Sequence, residues 1–99
     1  MKNKYSVLLY YCYSAIDDPE AYREEHHLLC LSLNLRGRII IAKEGLNGTV
    51  SGLIEDCEKY MEAIKSDPRF ADTEFKVDYV EDHTFTKLHV RTKPEIVHS

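Results

Sequence analysis

The run Tyr5–Tyr13, Tyr-Ser-Val-Leu-Leu-Tyr-Tyr-Cys-Tyr, constrains the fold more than any other stretch of the chain. Aromatic and branched residues favour extended backbone, and a strand apolar on both faces belongs in the middle of a sheet. Lys2 and Lys4 ahead of it imitate a secretion signal. Tyrosines interrupt the run, however, and no small-x-small cleavage site follows. The uncharged stretch is also well short of the roughly 20 residues that cross a bilayer. With 99 residues in all, the chain has room for one core and one domain. Four glycines and three prolines are too few for a linker or low-complexity segment.

Asp17-Asp18-Pro19-Glu20 starts a first helix, with Asp18 as cap, Pro19 at the first helical position and Glu20 at the positive dipole end. Tyr22, His26, Leu29, Cys30 and Leu33 recur at helical spacing as its apolar face, and Gly37 is expected to end it. Arg38–Ala42 and Thr49–Ser51 are expected strands, joined by Glu44-Gly45-Leu46-Asn47-Gly48 as a hairpin loop. A second helix runs from about Ile54 to Lys65, with Ile54, Cys57, Tyr60, Met61 and Ile64 inside and Glu55, Glu58 and Glu62 outside, and Asp67-Pro68 ends it. Alternation then places Phe75, Val77 and Tyr79 opposite Glu74, Lys76 and Asp78, and in a last strand Leu88 and Val90 opposite Lys87, His89 and Arg91.

The order β-α-β-β-α-β plus a further strand is the split βαβ pattern of an α+β, ferredoxin-like sandwich: an antiparallel sheet of four to five strands with two helices on one face and the other face open. Lys76, Lys87, His89 and Arg91 with Arg36 and Arg38 would make a basic patch on that open face, although 13 Lys and Arg against 17 Asp and Glu give a net charge of −4. Tyr10, or Tyr11 with Tyr13, would add rings among those cations, an arrangement by which sheets stack bases and hold phosphates. The plain alternative is a solvated face with ordinary edge-strand lysines.

Other constellations are weaker. Cys12, Cys30 and Cys57 are odd in number and widely spaced, which suggests neither a disulfide framework nor a zinc site and fits a reducing cytosol. His26 and Cys30 stand four apart but lack a third ligand, so packing explains them better. Gly45, Gly48 and Gly52 match no phosphate-loop pattern. Arg23 with Asn47 would suit anion and water positioning in a phosphatase, but no spacing brings the two together.

The segments Asp18-Pro19-Glu20-Ala21-Tyr22-Arg23-Glu24-Glu25-His26, Gly37-Arg38-Ile39, Ala42-Lys43-Glu44-Gly45-Leu46-Asn47-Gly48-Thr49-Val50-Ser51-Gly52 and Asp67-Pro68-Arg69-Phe70 closely resemble one family. It is that of the rhodanese-domain-containing tRNA uridine hydroxylases, in its N-terminal domain, and the likeness continues through Lys87-Leu88-His89-Val90-Arg91 and Pro94-Glu95-Ile96-Val97. The resemblance implies a substrate-binding and scaffolding domain, 1–93, and the start of a linker, 94–99, to a rhodanese-like domain absent from this chain. The family's parent enzymes hydroxylate the wobble uridine of tRNA with molecular oxygen. The family's reactive-cysteine loop is not matched here, so the resemblance carries over no catalytic residue, metal or cofactor. The expected partners are tRNA, bound weakly through the open face, and the chain's own rhodanese-like domain, with no membrane, in the cytoplasm. Where relatives offer a Thr to cap the second helix, this chain has Leu53-Ile54, and Ser51 is the expected substitute.

The fold class is shared with the acylphosphatases, which makes a small acylphosphatase-like hydrolase the competing hypothesis and an interaction module that packs on its rhodanese domain the third. Against the hydrolase, Ser14–Pro19 has no glycine and carries two carboxylates where the phosphate cradle would lie.

Overall fold

The structure, a computed structural model, describes residues 3–94. The aromatic run forms strand β1 (Tyr5–Tyr13), followed by α1 (Pro19–Ser32), β2 (Arg36–Ala42), β3 (Gly45–Leu53), α2 (Ile54–Lys65), a 3-10 turn (Pro68–Phe70), β4 (Phe75–Val80) and β5 (Leu88–Thr92). One sheet takes the order β4-β1-β3-β2-β5, so β1 is interior, as its two-sided apolarity requires. Its pairs are antiparallel except β2 with β5, which run parallel. Both helices cover one face, where Cys30 of α1 and Cys57, Tyr60 and Ile64 of α2 close over Leu8, Ile39, Leu46, Val50 and Val90. No helix among the described residues is long and apolar enough to cross a membrane.

Local chemistry sets the boundaries. Asp18 accepts a hydrogen bond from the Ala21 N–H at 3.2 Å, the expected cap of α1. The helix does not run on to Gly37. It ends in a Schellman turn: Leu35 N–H donates to the Cys30 carbonyl, Asn34 N–H to that of Leu31, and Asn34 takes the left-handed φ of 55°. Gly37 instead lies inside β2, with φ of 141°, where a Cβ would sit 2.0 Å from the Thr49 carbonyl oxygen.

The hairpin also differs from expectation. Ala42 pairs with Gly45, so Lys43-Glu44 alone makes the turn, and Asn47-Gly48 is strand. Gly48 is needed there for space, because a Cβ would meet the Tyr10 hydroxyl at 2.8 Å and Ile39 at 3.0 Å. Nor does Ser51 cap α2. Leu53 holds the cap position without a side-chain bond, and the Ile54 N–H donates to the Lys4 carbonyl at 3.0 Å.

β4 and β5 occupy opposite edges of the sheet, so residues 81–87 must cross it. They cross the face away from the helices. The His83 ring lies 4.9 Å from that of Tyr5, and its Nδ1 is hydrogen-bonded to Ser51 Oγ at 3.1 Å. Ser51 and Val7 point to this face yet are buried, at 0% and 8% exposure. The face expected to be open is therefore open over only half its length. At the far end of β5, Thr92 Oγ1 donates to Glu20 Oε2 at 2.6 Å and ties the edge strand to the start of α1.

Candidate nucleic-acid interface

The period-2 alternation of each strand and the pairing register fix which side chains share the uncovered half. Lys76, Leu9, Thr49, Arg38 and His89 form one row across all five strands, and Tyr11, Asn47, Ile40 and Arg91 the next. Tyr11 and Tyr13 stand 59% and 52% exposed, their ring centroids 5.6 Å apart, and Leu9 beside them is 40% exposed. β4 pairs with β1 only as far as Tyr10, so the Tyr11–Tyr13 end of β1 projects past it. An open groove of about 910 Å³ follows this overhang, with Leu9, Tyr11, Tyr13, Asn47 and Thr49 along it, Arg38 and Lys76 at its sides, and Asp72, Thr73 and Glu74 as the far wall.

All six basic residues singled out from the sequence lie on this side of the sheet, but as two groups. Arg38, Lys76, His89 and Arg91 surround the uncovered half. Arg36 lies at the strapped half, beside Tyr5 and His83, and Lys87 stands at the boundary, lining one depression with them and another with Arg38, Thr49 and His89. Burial of His83 and the neighbouring Arg36 charge hold that imidazole below its usual range, with Asp82 opposing them. Of the tyrosines, Tyr11 and Tyr13 face out, whereas Tyr10 is buried at 7% exposure. The expected Asn-Gly turn hides Asn47 and Thr49 as groove residues, and the two-sided apolarity of β1 hides Leu9. Continuing the alternation of β3 back through Gly48 would have found Asn47 and Thr49 on the face.

The helical side is built differently. His26 on α1, 3% exposed, shares its Nε2 with the Tyr60 hydroxyl of α2 at 2.6 Å, and Tyr60 is in turn hydrogen-bonded to the Tyr10 hydroxyl of β1. This chain satisfies three buried polar groups in the core. Burial lowers the His26 imidazole to about 4, pushes the Cys30 thiol up to about 12, and raises both Tyr10 and Tyr60 well above the ordinary phenol range. His26 and Cys30 are thus core residues, as their packing spacing suggested. Arg23 is paired with Glu20 at 3.4 Å on α1, while Asn47 is on the far side of the sheet, so a phosphatase pair is not assembled.

Residues 5–96 match the model of the UPF0176 acylphosphatase like domain. The chain belongs to this family. A "tRNA uridine(34) hydroxylase" of Cytophaga hutchinsonii is 67% identical over 95 residues, covering 96% of this chain and 30% of that protein. One of Enterococcus faecalis, named in the same words, is 56% identical over 94 residues, covering 95% and 30%. The chain therefore spans about 30% of the length of the curated relatives it matches, as their N-terminal domain. Among solved structures, the BLUF domain of BlrP1 aligns with a TM-score of 0.72 at 21% identity, covering 95% of this chain and 67% of that one, which bears on the fold alone. The ferredoxin-like, acylphosphatase-like sandwich expected from the element order is the fold observed.

Proposed function

We propose that this domain is the substrate-binding and scaffolding part of a tRNA uridine hydroxylase and that the uncovered half of its sheet meets tRNA. The observation that carries the reading is the exposed groove bordered by Arg38 and Lys76, with His89 and Arg91 further across the same face on β5, opposite Glu55, Glu58 and Glu62. A polyanion approaching such a two-sided surface is steered to one face and repelled from the other. The relatives' name supplies the substrate class. In this reading residues 1–93 are the domain and 94–99 begin the linker to a rhodanese-like domain, its second partner, in the cytoplasm; residues 95–99 lie outside those described. The chemistry is left to the rest of the parent enzyme.

The test is a titration of this chain with a tRNA anticodon stem-loop at low and moderate salt, followed by backbone amide shifts. Shifts are expected at Arg38, Asn47, Thr49, Lys76, His89 and Arg91. Four phosphate contacts give a log-log salt dependence of roughly −3 to −4. Shifts confined to the helices, or an Arg38→Glu/Arg91→Glu variant that binds as well as the parent, refute the proposal.

A further inference from the structure

Cations alone explain neither why two large rings are more than half exposed nor why they stand where β1 outruns its neighbour. Tyr11 and Tyr13 are two residues apart on one face of a strand, so both rings point outward together. Sheet tyrosines of this size ordinarily bury much of their area, and here about half of each remains exposed. The groove they line also carries polar groups, the half-buried Asn47 and Thr49 on β3. Its far wall holds Thr73, 4% exposed, whose Oγ1 is buried and has no hydrogen-bond partner among the described residues. Arg38 and Lys76 stand level with Leu9, one row from Tyr11, on strands to either side of β1, where the phosphates of a chain crossing the sheet would pass.

We infer that the β1 overhang is a stacking site for unpaired nucleotides: one or two bases of a single-stranded RNA segment lie on Tyr11 and Tyr13, with base edges toward Asn47 and Thr49 and the backbone held by Arg38 and Lys76. Paired RNA does not fit this site, since an A-form helix offers side chains phosphates and hydroxyls but no free base faces. The inference rests on the proposed RNA contact but goes further, since it assigns the tyrosines, not the cations, the discrimination between single strand and duplex.

The probes are a uridine hexanucleotide and a long RNA duplex, in which only the two end pairs expose a base face, each titrated into this chain at low salt with the tyrosine ring signals followed. The hexanucleotide should shift Tyr11 and Tyr13, and the duplex should leave both rings unmoved. Because a base-on-ring stack is sequence-tolerant and strong, Tyr11→Ala and Tyr13→Ala should each weaken the hexanucleotide by roughly fivefold to a hundredfold. Tyr11→Phe and Tyr13→Phe, which keep the ring, should bind as the parent does. Equal binding by the alanine variants, or ring shifts with the duplex, overturns the stacking site. If the stem-loop still binds and Arg38→Glu/Arg91→Glu still abolishes it, the electrostatic contact survives that failure. If no RNA moves either ring, the groove is left to a protein contact.

Discussion

Lowering the pH from 7.5 to 5 should destabilise this domain through one residue, His26. In the native state its imidazole is 3% exposed and burial alone depresses it from 6.5 to about 4. The unfolded chain takes up a proton below about 6.5 while the folded chain stays neutral, so stability is fully present above that value and falls as pH drops, levelling off below about 4. The difference corresponds to a total on the order of 3 kcal/mol, of which about 2 kcal/mol is gone by pH 5. With a urea slope of about 1–2 kcal/mol per molar for a domain of this size, the midpoint should move down by about 1–2 M. Urea unfolding followed by far-UV circular dichroism at pH 7.5, 6 and 5 measures it. His26→Gln keeps a polar end toward Tyr60 but cannot titrate; it should start less stable and show a nearly flat profile, with a small residual slope of the same sign from His83. A parent midpoint unchanged between pH 7.5 and 5, or a His26→Gln variant with the parent's slope, would refute the reasoning.

Gly37→Ala should cost about 3 kcal/mol or more, because its Cβ would lie 2.0 Å from a backbone oxygen of β3 that no rotamer change can move; a thermal melt within a few degrees of the parent contradicts this. With a thiol reagent in native buffer, Cys12, which is only partly buried, should react first, and Cys30 and Cys57 only on the timescale of global unfolding; fast labelling of all three thiols counts against the buried core described. Benzoyl phosphate should not be hydrolysed above background, since Asp17 and Asp18 stand where an anion cradle would be and Arg23 is engaged with Glu20 and Glu24; turnover abolished by Arg23→Ala would reverse that conclusion.

What could be read from the sequence was what depends on short-range pattern. The β1 span, the Asp18 cap and the α2 span follow from alternation, capping chemistry and helical spacing, which act within a turn or two of the chain. What failed was set by distant residues. Asn-Gly is the commonest hairpin signal, yet Gly48 is in a strand because the Tyr10 hydroxyl, far away in sequence, needs the room. Gly37 marks no helix stop, because its conformation is imposed by the close approach of Thr49, and Asn34 supplies the left-handed residue in its place. The basic residues were placed on the correct face by alternation, but their division into two groups depends on the path of the crossover. Nothing local in Glu81–Lys87 announces that path.

That crossover has almost no slack. β4 and β5 are four strand spacings apart, about 19 Å at roughly 4.8 Å each. Val80 stands level with Tyr5 and Leu88 level with Leu8, which adds about 10 Å along the strands at roughly 3.3 Å per residue. The direct path is therefore about 21 Å, and the eight steps from Val80 to Leu88 reach only about 26–29 Å when fully drawn out. Taking out two residues brings that reach down to the bare distance, before any allowance for passing over the side chains beneath. The segment thus behaves as a drawn leash, not a hinged flap. While both of its ends stay paired it can bow outward by no more than about 8–10 Å at its middle, so swinging it clear of the covered half of the face and peeling an edge strand from the sheet are the same event.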